Sequence, residues 1–222
     1  MGSRAMADGA RQSAPNPDFV ARKPQQQRAK VRVDAVLQAA EELLLESGLS
    51  AFSIPTLAER LEYPRSTIYK FFPTPQALLN ELAERQLGAL EAHLTGYAQS
   101  LAGAKDWQEP ITRMVHAAAD FYRTHPAAQV VLLTGPVSDV SFRALESTIA
   151  RLGTLARSLL ATRGIDIPRG SPDIAALAVE FGTASLRTSF YLYGRMTNEY
   201  TQAAADVMQS FLAMRLGLPL RR

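Results

Sequence analysis

Apolar residues recur every three or four positions along most of this chain, and alternation at period two is nearly absent. That regularity argues against a sheet and for helices that each bury one stripe. Its first instance is Val33, Val36, Leu37, Ala40, Leu43 and Leu44, one face of a helix over 29–47 that stops at Gly48. Two short helices follow, near 54–61 and 65–71. Thr74-Pro75 then supplies an N-cap and a proline suited to a first helical turn, opening a long helix to about Leu101. Further helices are expected over 107–124, 127–133, 138–163, 172–194 and 198–216. They are divided at His125-Pro126, Gly135-Pro136, Gly164 with Pro168, and Met196-Thr197, with caps at Asp106, Ser138, Ser171 and Thr197. The fold class is all-α, with about nine helices and no repeat.

Of the 222 residues, 47% are hydrophobic, enough for a sizeable core. Cysteine is absent, which rules out disulfides and thiolate metal sites. No apolar run approaches the ~20 residues of a membrane helix, and the first twenty residues lack the apolar centre of a signal peptide. A cytoplasmic protein is expected. There is no GxSxG elbow, Walker loop, HExxH or glycine-rich dinucleotide fingerprint. His93, His116 and His125 are not spaced as a metal cluster with carboxylates. No catalytic residue, cofactor or metal is therefore expected.

The net charge of +3 is uninformative by itself, but its distribution is not. Residues 1–27 are rich in Ala, Gln, Pro, Gly and Ser and read as a disordered, basic N-terminal arm. From Phe19 to Val33 stand Arg22, Lys23, Arg28, Lys30 and Arg32 with no acid between them. Such a run is either a solvated tail or an arm that follows a polyanion. The neighbouring segment decides. Counting from Ile54, Ala58 is fifth, Glu62 ninth and Ile68 fifteenth, with Leu57, Leu61, Tyr63 and Phe71 as apolar contacts. This is helix-turn-helix spacing, in which the second helix enters a major groove by its first residues, here Arg65, Ser66 and Thr67. Arginine can bond guanine bidentately, and Ser or Thr can serve bases or phosphates.

With the bracing helix before it, "SIPTLAERL" and "RSTIYKFFP" within it and "TPQALL" after it, this stretch resembles the tetracycline-repressor-like (TetR) transcriptional regulators over roughly residues 30–79. The resemblance implies a DNA-binding domain over 28–78 and a ligand-binding and dimerisation domain over 79–222. It implies that Thr67 and Tyr69 bond phosphate or base edges, that Lys70 lies on phosphate, that Arg65 and Ser66 enter the groove, and that Thr56 meets the flanking backbone. Arg28 and Lys30 extend the basic surface. Three residues depart from the family pattern. Glu62 occupies a turn position that favours glycine, at ~1 kcal/mol of strain. Pro64 replaces a capping Ser or Thr, leaving the cap place to Tyr63. Pro75 replaces a phosphate-binding lysine, whose part the N-terminus of the fourth helix could take.

For the C-terminal part, the Ala-, Gly-, Ser- and Met-rich segments 172–194 and 198–216 suggest a homodimer through a four-helix interface. Candidate walls of a small-molecule pocket are Trp107, His116, Phe121, Tyr122, Phe142, Phe190, Tyr191 and Tyr193. Each of these fits ordinary core as well. Arg113 and Arg187 could hold an acidic ligand, or keep solvated ends or be answered by internal ion pairs. The expected function is a ligand-responsive regulator, a repressor by the family default, on a pseudo-palindromic double-stranded DNA operator. A ligand-independent DNA-binding dimer and an activator are the alternatives.

Overall fold

The computed structural model describes residues 17–21, 27–101, 106–135 and 137–220. Nine α-helices stand among them, with no strand among the described residues: α1 (Gln27–Ser47), α2 (Ile54–Arg60), α3 (Arg65–Tyr69), α4 (Pro75–Gln99), α5 (Gln108–Thr124), α6 (Pro126–Leu133), α7 (Asp139–Ala161), α8 (Ile174–Tyr193) and α9 (Asn198–Leu216). No helix among the described residues is long and apolar enough to cross a membrane.

Local chemistry sets most of these limits. Ser53, Thr74, Ser138 and Thr197 each accept a backbone N–H of the helix they precede. Asp106 accepts from the N–H of Gln108 and Glu109 at 3.0 and 2.8 Å. Ser171 does not cap α8. The carboxylate of Asp173 accepts from Ala175 and Ala176 at 2.9 and 3.1 Å, so the helix begins at Ile174. The divider at Gly135-Pro136 falls partly outside the described residues, since Pro136 is not among them.

Two apolar cores share α4. In the first, Val36, Leu37 and Leu44 of α1 meet Ile54, Leu57, Ile68 and Phe72 of the hairpin and Leu78 and Leu82 of α4. In the second, the continuation of that helix, from Ala83 to Leu94, packs with α5, α8 and α9. Val131 of α6 touches both. Helices α7 and α8 cross closely at Gly153, where a Cβ would stand 2.8 Å from the backbone nitrogen of Ala176.

Of the arm expected to be disordered, residues 1–16 and 22–26 lie outside the described residues. Pro17–Phe19 instead forms a short 3-10 turn held on α4. The Thr74 hydroxyl donates to the Asp18 carbonyl at 2.8 Å, and the Asn80 amide donates to the Phe19 carbonyl at 2.7 Å. Two side-chain hydrogen bonds offset the ordering of this turn, which composition alone did not reveal.

Candidate DNA-binding surface and interior cavity

Helix α2 is short because both of its ends are fixed by nearby atoms. At its start, Ser53 Oγ accepts from Thr56 N and lies 2.8 Å from Thr56 Oγ1. At its end, Tyr63 N donates to Ala58 O at 3.0 Å and Glu62 N donates to Glu59 O at 3.2 Å. These paired bonds form a Schellman motif, whose residue after the cap adopts the left-handed conformation. Here that residue is Glu62, with φ 52°, the one non-glycine with positive φ among the described residues. The strained turn read from the sequence is present. Pro64, not Tyr63, holds the cap position of α3; it has no side chain to offer, and its carbonyl accepts from Thr67 N at 2.8 Å.

The turn aims α3 so that Ile68 and Phe72 are wholly buried. The opposite side is left to solvent: Arg65, Ser66 and Lys70 are exposed, Thr67 is half-buried, and Tyr69 is 42% exposed. Tyr69 therefore keeps part of its surface on the protein and part in solvent. Lys70 Nζ lies 5.9 Å from the Phe71 ring centre. Thr56 is exposed at the first turn of α2, and Arg28 and Lys30 are exposed on the first turn of α1. Arg65 has an acidic neighbour, Glu59, at 3.7 Å; both are mostly exposed, so the pair is weak.

Helix α1 braces the hairpin through charge as well as packing. Arg60 of α2 bonds Glu46 with two nitrogens, and hydrogen bonding from that guanidinium holds the Glu46 carboxyl below its ordinary range. Arg85 of α4 pairs with Asp34, and Gln86 donates to Glu41 at 2.8 Å. At the start of α4, the Ala77 N–H is already bonded by Thr74, and Pro75 has none. Neither position therefore offers a free donor to the substitute phosphate site expected there.

A cavity of about 80 Å³, counted as space for the centre of a water-sized sphere, lies in the second core. Leu90 and Leu94 of α4, Ile111 and Tyr122 of α5, and Leu152 and Leu155 of α7 form much of its wall. Val179, Gly182 and Leu186 of α8 and Met208 of α9 close it. Burial pushes the Tyr122 phenol pKa well above its ordinary value, against a smaller opposite pull from Arg187, so the hydroxyl stays neutral.

Residues 36–82, which span α1 to the first turns of α4, match the family described as bacterial regulatory proteins, tetR family. That stretch is similar to the N-terminal domain of the tetR-family regulators. The whole helical fold is TetR-like too. It is similar to a TetR-family transcriptional regulator from Streptomyces coelicolor at 21% identity, with a TM-score of 0.62 over 83% of this chain and 99% of that one. It is similar to the TetR family transcriptional regulator PfmR from Thermus thermophilus at 18% identity, with a TM-score of 0.53 over 84% and 99%. The multidrug binding protein EbrR, solved with imidazole, gives 17% identity and a TM-score of 0.63 over 91% and 98%. Among curated proteins, none matches the chain in sequence.

Arg65, Ser66, Thr67, Tyr69 and Lys70 lie together on α3 and its C-cap, with Thr56 on α2, whereas the pocket residues scatter. Only Tyr122 lines the cavity. Trp107 is buried elsewhere and donates through Nε1 to the Pro219 carbonyl at 3.3 Å, fastening the C-terminal segment. The ring of Phe121 stacks on His125 with centroids 4.1 Å apart. His116 is half-buried outside the cavity wall, and Phe190 packs against the second core. Phe142, Tyr191 and Tyr193 are solvent-facing, at 51%, 86% and 56% exposure. Arg113 pairs with Glu109 at 3.6 Å and Arg187 with Glu180 at 3.7 Å, the second pair leaving Arg187 Nε and Glu180 Oε2 buried without a hydrogen bond. The cavity wall is instead mostly aliphatic, leucine and methionine with a few small residues between them. Their signal in sequence is a run of alanine and glycine on inward helix faces, such as Ala118, Ala156 and Gly182.

Proposed function

We propose that this chain is a homodimeric, effector-responsive transcriptional repressor acting in the cytoplasm on a pseudo-palindromic DNA operator. The observation that carries the reading is α3 with the residues just after it, buried through Ile68 and Phe72 while Arg65, Ser66, Tyr69 and Lys70 are exposed beside a fixed turn. Residues 28–78 serve as the DNA-binding unit and 79–222 as the ligand and dimer unit. Arg65 and Ser66 read base edges, Thr67 and Tyr69 bond bases or phosphates, and Lys70, Thr56, Arg28 and Lys30 follow the phosphate backbone.

One short recognition helix gives little selectivity, so two copies reading half-sites ~34 Å apart are the economical solution. Helices α8 and α9 support pairing: Phe181, Ala184 and Leu192 of α8 and Val207 and Met214 of α9 are exposed although apolar or small. The cavity supports an effector over a ligand-independent dimer. An effector releases DNA only if it binds one spacing of the two recognition helices more tightly than the other.

Selection of bound sequences from a random duplex pool tests the DNA-binding core of this reading. Two inverted half-sites one helical turn or a multiple apart are expected. Recovery of no motif, or of an unpaired motif bound by a monomer, refutes the dimeric operator reader.

A further inference from the structure

We propose that the cavity takes an uncharged, mainly hydrocarbon ligand of small size whose single oxygen hydrogen-bonds the Tyr122 hydroxyl. This rests on the effector-responsive reading above and adds the chemical class of the effector.

The first argument is charge. No side chain on the cavity wall is ionised at neutral pH. The cations and anions behind the wall pair among themselves, Arg157 with Asp173 at 2.7 Å, Arg113 with Glu109 at 3.6 Å and Arg187 with Glu180 at 3.7 Å, the last pair leaving Arg187 Nε and Glu180 Oε2 buried without a hydrogen bond. A carboxylate or ammonium entering the cavity would leave water without touching an ionised group, since even Arg187, whose field reaches Tyr122, stands behind the wall, and aliphatic contacts do not return that cost.

The second argument is the scarcity of polar handles. Thr183 and Tyr122 are the only hydroxyl-bearing residues on the wall. Thr183 already donates to the Val179 carbonyl at 2.9 Å. The Tyr122 hydroxyl has no hydrogen-bond partner among the described residues, and burial keeps it protonated. It can donate one bond and accept another. A ligand oxygen there satisfies a buried polar group; a pure hydrocarbon leaves it unmet.

The third argument is size. At about 10–15 Å³ of such space per water, the cavity admits the equivalent of about five to eight waters, hence a ligand of on the order of ten non-hydrogen atoms. Met114 and Met208 on the wall adapt to shape. Gly182 sets one limit, because a Cβ there would come 2.5 Å from Met208 Sδ and drive that side chain aside.

Four probes of similar outline separate these claims in calorimetric titrations of the full chain: 4-ethylbenzyl alcohol, 4-ethyltoluene, 4-ethylbenzoate and 4-ethylbenzylammonium. The alcohol is expected to bind with a Kd on the order of micromolar. The hydrocarbon should be about 3- to 10-fold weaker, the worth of one hydrogen bond. Both ions should be weaker by at least about 100-fold. Tyr122→Phe should bring the alcohol to the hydrocarbon's Kd and leave the hydrocarbon's own Kd unchanged, which also verifies folding. Ala118→Leu, filling the space, should abolish both. An ion that binds wild type as tightly as the alcohol overturns the proposal. So does failure of the alcohol to bind, or an unchanged alcohol-to-hydrocarbon ratio in Tyr122→Phe. The same titrations with selected operator DNA present keep the two readings apart. Binding that never releases DNA overturns the effector reading while leaving the cavity's ligand class, whereas release by an ion through this cavity does the reverse.

Discussion

Replacing Glu62 with glycine should stabilise the protein, and the structure lets the gain be worked out. Glu62 closes the Schellman turn after α2 with φ 52°, a conformation in which its Cβ crowds the following carbonyl. For an L-residue this costs roughly 1–2 kcal/mol. Glycine removes that cost but gives the unfolded chain more freedom, worth about 0.4–1 kcal/mol in the opposite direction. The net gain is about 0.5–1 kcal/mol, or roughly 1–4 °C in Tm for a chain of this length. Charge is a confounder, because a side chain at 62 stands close in sequence to Arg65 and to the surface proposed to meet DNA. Glu62→Ala is the control: it deletes the same charge and keeps a Cβ in the left-handed position. Thermal unfolding of the three proteins at one fixed concentration should place glycine above both wild type and alanine. A glycine variant no more stable than the alanine variant refutes the strain argument. DNA affinity should rise alike in both variants, since each loses one negative charge near the phosphates.

The remaining predictions concern DNA contact, acid sensitivity and a buried amide. Lys70→Ala should weaken binding across DNA sequences and flatten the salt dependence by ~0.9 per half-site. Arg65→Ala should instead relax base preference; equal losses on operator and random DNA count against its base-reading role. Asp173 is pushed up by burial, but hydrogen bonds from Ala176 N, Arg157 and Ala175 N outweigh this and hold its carboxyl below the ordinary 3.8. A lowered folded pKa means that its stabilisation is complete above the unfolded value and is lost as pH falls through the folded one. The stability gap between wild type and Asp173→Asn, from urea unfolding, should therefore narrow from about pH 4 downward, and a constant gap refutes the assignment. Asn80→Ala should cost about 1–3 kcal/mol in the same assay by leaving buried partners unmet. A cycle with Ser138→Ala should show coupling between the two sites, and strict additivity removes the direct bond from the account.

What the sequence disclosed and what it hid divide according to the range of the interactions. The caps at Thr74, Ser138 and Thr197 were legible because donor and acceptor lie within three residues. The hairpin was legible for the same reason: Ala58, Glu62 and Tyr63 close their own turn, so spacing alone reports the geometry. The cap of α8 was misplaced by two residues because Ser171 and Asp173 both suit the role, and the choice depends on Arg157, which stands on another helix and bonds Asp173 at 2.7 Å. The cavity was hidden more deeply. Aromatics are the residues a sequence offers as candidate walls, whereas this cavity is lined mainly by leucine and methionine, and its outline needs five helices in register. Trp107 shows the contrast in miniature, being large and buried but bonded to the Pro219 carbonyl away from this cavity. Asn80 is the extreme case. In "TPQALLNELAE" it reads as an ordinary surface polar residue, yet it is 2% exposed. Its amide holds the Phe19 carbonyl at 2.7 Å and its oxygen accepts from Ser138, the cap of α7, at 2.9 Å. One buried side chain thus ties the N-terminal segment, the helix shared by both cores and a helix of the cavity wall. Nothing local in sequence announces a residue whose partners are 61 positions behind and 58 ahead. A shift of α7 caused by a ligand against Leu152 and Leu155 would strain this node first, because a buried hydrogen bond is broken at full desolvation cost while apolar contacts slide.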